Sequence, residues 1–190
     1  EYLLNGLRER LDLSRLTEWT LEMNPATVSP EKAAVLRQLG VNRISMGVQS
    51  WEPKLLEVLG RVHTTAQAER SYEILREAGF GNINLDLIFA IPTQTREQWV
   101  ATLEKTIALQ PNHISAYCLT YEEDTAFYRR FQDGEFTQDE SWDADLFDLT
   151  IELLTAAGYE QYEISNYAQP GLECRHNLAY WRQEGWLAAG

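Results

Sequence analysis

Cysteine is scarce in this chain: Cys118 and Cys174 are the two among 190 residues. They lie far apart and form no CxxC pair, which argues against a disulfide framework and makes a reducing, cytoplasmic setting the expectation. No apolar run approaches the ~20 residues that span a bilayer, and no secretory signal is visible. Basic residues are also few, 16 Lys and Arg against 29 Asp and Glu, for a formal charge of −13. Such a balance repels phosphate backbones, so no nucleic-acid partner is expected. Low-complexity stretches and sequence repeats are missing as well. The chain does not start with Met; it opens inside a helix-like "EYLLNGLRERL" and closes on "GWLAAG". It reads as an excised piece of a longer protein.

What is present is the composition of a globular protein with a sizeable core, 44% hydrophobic and 24% charged. Strand-like and helix-like segments alternate through residues 1–121. The strands are "EWTLEMN" (18–24), "RISMGVQS" (43–50), "NINLDLIFA" (82–90) and "HISAYCLT" (113–120). Between the first two lies "SPEKAAVLRQLG", with Ser29 as N-cap, Pro30 at the first helical position and Gly40 as terminator. A helix pair follows the second strand, the longer member running from near Thr65 to the Gly79 stop. The helix from Arg96 to Leu109 carries Trp99, Val100, Leu103 and Ile107 at helical spacing. This alternation predicts parallel βα units. Residues 122–190 break the rhythm: one long acidic amphipathic helix, a strand-like "YEQYEISNYA", a Pro170-Gly171 turn, and then "ECRHNLAYWRQ".

Read with period two, the strands are amphipathic in an informative way. Ile44, Met46 and Val48 oppose Arg43, Ser45, Gly47 and Gln49. Ile83, Leu85, Leu87 and Phe89 oppose Asn82, Asn84 and Asp86, and Trp19, Leu21 and Met23 oppose Thr20, Glu22 and Asn24. Helices must cover the apolar face, which turns the polar set inward. A closed barrel packs its interior with Val, Ile and Leu, and each unsatisfied buried polar group costs about 1–3 kcal/mol. Two arrangements meet that cost. A partial, splayed barrel could hold a polar ligand, with Glu22, Gln49 and Asp86 in the C-terminal halves of their strands where barrel sites collect. Alternatively, the groups could satisfy one another around buried water. The expected fold is thus α/β: an incomplete parallel βα barrel over 1–121, followed by a helix–strand extension over 122–190.

"TLEMNP", "GVNRISMGVQSW", "LGRVHT" and "NLDLIFAIPTQT" together resemble the radical S-adenosylmethionine (SAM) proteins of the oxygen-independent coproporphyrinogen III oxidase family. Within it, "YEISNYAQPGLECRHNLAYW" resembles the HemW branch, radical SAM haem chaperones with an HNxxYW signature. The resemblance implies that Glu22, Gln49, Arg61 and Asp86 contact SAM: carboxylates suit its ammonium and hydroxyls, and an arginine suits its carboxylate. It implies a 4Fe–4S cluster too, but the family's CxxxCxxC loop and its "GGGTP" strand end belong to strands upstream of Glu1. Two unpaired cysteines cannot replace three cluster thiolates, and Cys118 is expected to be a small core residue.

The HNxxYW signature implies haem binding by His176, Asn177, Tyr180 and Trp181, with His176 as an iron ligand, and transfer of haem to acceptor proteins, as a homodimer. On residue types alone the segment could instead be a packed turn, His176 and Asn177 capping it and Tyr180 and Trp181 in the core. The ligand reading expects it on a mobile connection near the barrel mouth. His63, His113, Trp51, Trp99 and Tyr117 are expected to be structural. Whether the whole protein is an enzyme stays open. The alternative to a chaperone is a coproporphyrinogen III oxidase, which decarboxylates two propionates; a radical SAM enzyme acting on RNA is disfavoured by the −13 charge.

Overall fold

The computed structural model describes residues 2–187. Glu1 and the last three residues of "GWLAAG", part of the ending read as a cut, lie outside the described residues. After α1 (Tyr2–Arg10), four strands run parallel in sequence order: β1 (Thr20–Met23), β2 (Arg43–Gln49), β3 (Ile83–Phe89) and β4 (His113–Cys118). Helix α2 (Pro30–Leu39) joins β1 to β2. Helices α3 (Pro53–Val58) and α4 (Thr65–Glu77) join β2 to β3, and α5 (Arg96–Ala108) joins β3 to β4. Then come α6 (Ala126–Gln132), α7 (Glu140–Ala156), β5 (Glu160–Gln161), β6 (Asn166–Ala168) and α8 (Arg175–Trp181).

The helices start and stop where local chemistry directs. Ser29 accepts a hydrogen bond from the Lys32 amide, Pro30 opens α2, and Gly40 ends it at φ 99°, a left-handed turn that disfavours any Cβ. Helices α4 and α5 begin with matching capping boxes, Thr64 with Gln67 and Thr95 with Gln98. Their apolar faces meet the sheet. Ile44, Met46, Val48, Ile83, Leu85 and Leu87 are fully buried there. Trp99 is also core, its ring 5.5 Å from Phe89 and its Nε1 donating to Thr150 Oγ1 on α7 at 2.9 Å. Trp51 is buried and donates to Thr106 at 2.8 Å.

The sheet order is β1-β2-β3-β4-β6-β5, with β6 antiparallel to both its neighbours. "YEQYEISNYA" therefore forms not one strand but a hairpin, which extends the sheet beyond β4. The sheet stays open, with β1 and β5 at its edges. It is the partial parallel βα barrel expected from the sequence, its concave face uncovered by helices α2–α5.

Candidate functional site

The polar face of the strands becomes the wall of a cleft of about 1140 Å³. Strand β1 supplies Thr20 and Glu22, β2 supplies Arg43, Ser45 and Gln49, β3 supplies Asn84 and Asp86, and β4 supplies Ser115 and Tyr117. Glu22, Gln49 and Asp86 converge there as the period-two pattern predicts. Thr20, Arg43, Ser45 and Asn84 of the same pattern join them, whereas Asn24 and Asn82 do not. Asn24 instead caps the short 3-10 turn Pro25–Thr27 by accepting from the Ala26 amide, and Asn82 is not in the lining.

Gln49 reaches the cleft through an unusual backbone. Its φ is 69°, the left-handed region, and the β2–β3 register slips between Gly47 and Gln49. A Cβ on Gly47 would stand 2.7 Å from Gln49 Nε2. Glycine is thus what lets the carboxamide fold back over its own strand, and such local strain is characteristic of ligand sites.

Asp86 is the anchored carboxylate of the floor. Asn84 Nδ2 donates to Oδ1 at 2.7 Å and Ser45 Oγ donates to Oδ2 at 3.1 Å. Burial pushes its pKa up, against the pull of hydrogen bonds from Asn84 and Ser45 and of the Arg43 charge. The second titratable group of this floor is His113. With both Asn84 amide hydrogens donated to Ser45 and Asp86, Asn84 Oδ1 is left to accept from His113 Nδ1 at 2.6 Å. His113 Nε2 then accepts from the Tyr162 hydroxyl at 2.7 Å. Burial first, and the Arg43 charge second, hold this histidine well below its usual pKa. It is the structural histidine expected, as is His63, which is buried with Nε2 3.0 Å from the Val48 carbonyl.

Helix α8 closes one end of the cleft. The Tyr162 oxygen accepts from the Cys174 amide at 3.3 Å and from Asn177 Nδ2 at 3.2 Å. Glu18, just before β1, accepts from the Arg175 amide at 3.2 Å and from Cys174 Sγ at 3.5 Å. That carboxylate satisfies an open amide at the helix start and suits its positive end. Both anchors lie where strands begin: Glu18 precedes β1 and His113 opens β4. The motif thus sits on a helix anchored at the N-terminal edge of the strands.

His176 and Asn177 line the cleft, whereas Tyr180 and Trp181 flank a separate shallow groove beside Trp186. The packed-turn alternative fails, since no residue of α8 is buried: Tyr180 is 61% and Trp181 50% exposed. Cys174, not His176, occupies the N-cap position.

Arg61 lies apart from the other three residues of its set, and Tyr117 and Cys118 differ from expectation. Arg61 is not brought to the cleft; it is exposed on the loop after α3 and borders another groove with His63. Tyr117, expected in the packing, is 41% exposed on the cleft wall. Cys118, expected in the core, packs against it but is only half-buried and also borders the cleft, its thiol pushed up to about 11 by burial. Among the cleft residues missed by sequence reading were Glu18, Ser115 and Tyr117. The alternation His113, Ser115, Tyr117 carried the signal for the last two, being the same period-two pattern one strand further on.

The residues of this chain fit one part of a radical SAM site and not another. Glu22, Gln49 and Asp86 offer acceptors for an ammonium and hydroxyls. For a cluster, no group of three or more His, Cys, Asp or Glu side chains that could hold a metal exists among the described residues. A model of the radical SAM superfamily matches residues 1–106. The chain belongs to the radical SAM superfamily. Among radical SAM relatives it is 42% identical over 188 residues to the haem chaperone HemW of Escherichia coli (strain K12), covering 99% of this chain and 49% of that protein. It is 41% identical over 191 residues to the haem chaperone HemW of Lactococcus lactis subsp. lactis (strain IL1403), covering 100% of this chain and 50% of that one. The chain thus spans about half the length of the curated relatives it matches. Among solved structures it superposes on coproporphyrinogen III oxidase (HemN) from Escherichia coli, a radical SAM enzyme. The TM-score is 0.80 at 26% identity, over 95% of this chain and 41% of that one. The open sheet is a radical SAM partial barrel, and the family implies SAM and a 4Fe–4S cluster.

Proposed function

We propose that this chain is part of a cytoplasmic radical SAM haem chaperone, which binds haem and passes it to acceptor proteins, acting as a homodimer. The division at residue 121 separates a SAM-binding barrel portion from an extension that carries the haem motif. Glu22, Gln49, Arg61 and Asp86 are the proposed SAM contacts; three of them line the cleft, and Arg61 borders a different groove. SAM, when bound beside a reduced cluster, supplies radical chemistry. What this chain contributes is a polar wall whose acceptors orient the ammonium and hydroxyls, and an Asp86 held in place by Ser45 and Asn84. The cluster thiolates come from outside this chain.

The observation that carries the reading is α8. A helix that serves only packing buries its aromatic residues; this one turns an accessible His176 into the cleft and leaves Tyr180 and Trp181 exposed over a neighbouring groove, their rings set edge to face. The rival reading, a coproporphyrinogen III oxidase, draws on the 0.80 TM-score with that enzyme. The 41–42% identity to proteins named haem chaperones, over the whole chain, weighs more. No helix among the described residues is long and apolar enough to cross a membrane.

The test is His176→Ala in the full-length protein. It should remove or shift the Soret band of the haem complex while SAM affinity stays unchanged. A mutant with the wild-type spectrum and haem affinity sinks His176 as an iron ligand.

A further inference from the structure

Arg43 opens β2 with its side chain on the cleft side, and it is only 3% exposed. Its buried Nε has no hydrogen-bond partner. Among the described residues its guanidinium joins no ion pair; the four ion pairs present all involve other cations, Arg70 twice, Lys105 and Arg130. A guanidinium offers five donors in a fixed fork and keeps its proton at any ordinary pH. Burying that charge unpaired is strongly unfavourable, so such a group is expected to have a partner in the working state.

The nearby acids are already engaged. Asp86 is held by Ser45 and Asn84, and Glu18 by Cys174 and Arg175. Neither lies within 4.0 Å of Arg43 as an ion pair. Arg43 thus stands as a buried, unpaired cation in a cleft whose lining also holds the acids Glu18, Glu22, Asp86 and Glu184, with Arg175 as the other, exposed, guanidinium.

We propose that Arg43 binds a carboxylate of the ligand that enters this cleft. The fork of a guanidinium matches a carboxylate with two parallel hydrogen bonds. A phosphate offers the same geometry, but its second negative charge would add to a lining in which acids outnumber the guanidinium groups. A singly charged carboxylate meets less repulsion, and a ligand that also carries a cation gains from those same acids. Under the function proposed above, on which the choice of probes rests, two ligands bring such a group: SAM through its amino-acid carboxylate and haem through a propionate.

The experiment uses the full-length protein with its cluster reconstituted, as wild type, Arg43→Met and Arg43→Lys. One arm compares SAM with decarboxylated SAM by calorimetry; the other compares haem with haem dimethyl ester by Soret titration. In one arm the wild type should bind the acid about tenfold tighter than its carboxylate-free analogue, the scale of a charge-assisted bidentate pair. Arg43→Met should bring that ratio to within about twofold, by weakening the acid alone, with Arg43→Lys in between. The arm that responds names the source. Ligand-free thermal unfolding of Arg43→Met should be no easier than that of wild type, because an unpaired buried charge has been removed.

The proposal is overturned if wild type shows no preference for the acid in either arm, or if both ratios survive in Arg43→Met. A Met variant that unfolds more readily while its ratios are unchanged means that Arg43 pairs within the protein, and also overturns it. If Arg43→Met does not fold, Arg43→Lys decides: an unchanged ratio refutes carboxylate binding, and a drop of about threefold or more supports it. Failure of wild type to bind haem at all sinks the chaperone reading, while the SAM arm still decides Arg43.

Discussion

The Tyr162 hydroxyl donates to His113 Nε2 at 2.7 Å, and the same oxygen accepts from two groups of the HNLAYW region, the Cys174 amide and Asn177 Nδ2. Through Asn84, His113 is joined in turn to Asp86. An unbroken hydrogen-bond chain therefore runs from the proposed SAM acid to the proposed haem helix. Its members come from β3, β4, the β5–β6 hairpin and the start of α8, segments far apart in sequence.

Tyr162→Phe should loosen α8. Removing the hydroxyl strands the Cys174 amide and the Asn177 carboxamide, and leaves His113 Nε2 without a donor. Urea unfolding should show a loss of about 1–3 kcal/mol. Hydrogen exchange should quicken at Cys174, and exchange there at the wild-type rate refutes the anchoring role.

Acid should destabilise the protein through His113. Its folded pKa lies well below the usual 6.5 because burial, then the Arg43 charge, disfavour the imidazolium. The unfolded chain therefore takes up the proton first as pH falls. His113 adds no pH dependence above that value, and stability declines from 6.5 downward to the folded pKa. In His113→Gln the decline over this window should be shallower in a series of thermal melts. Parallel slopes for the two proteins mean that another group is responsible.

Asp86→Asn should separate stability from binding. Burial raises the Asp86 pKa above its usual 3.8. Its contribution to stability is complete below that value and is lost as pH rises through the folded pKa, so the ionised carboxylate is a cost above it. The asparagine variant should melt no lower than wild type at neutral pH, yet bind SAM more weakly by about 1–3 kcal/mol. Calorimetry with the cluster reconstituted checks the second half; unchanged SAM affinity would reduce Asp86 to a buttress.

Both thiols should resist alkylation at neutral pH. Burial pushes Cys118 up to about 11 and raises Cys174 as well, and the thiolate is the reactive form. Iodoacetamide labelling of Cys118 should rise about tenfold per pH unit until its pKa is reached. Rapid labelling of the folded protein at pH 7 contradicts this.

The sequence by itself determined what nearest-neighbour chemistry controls. Ser29, Pro30 and Gly40 bound α2, because caps act over one turn. The alternation of Ile44, Met46 and Val48 with Ser45 and Gln49 set which side faces the helices, because the strand period is two. The convergence of Glu22, Gln49 and Asp86 followed from that alternation once the strands were parallel neighbours. Only the tertiary structure decided the rest. Arg61 follows Gln49 closely in sequence, but the intervening helix and turn carry it to another groove. Glu18 meets Arg175 across a separation of 157 residues and His113 meets Tyr162 across 49, so no local pattern announces either bond. The unpaired state of Arg43 is likewise a property of everything packed around it. Local order comes from short-range propensity and periodicity, whereas the partners of a buried polar group are chosen by whichever distant segments the closed packing brings within 3 Å or so.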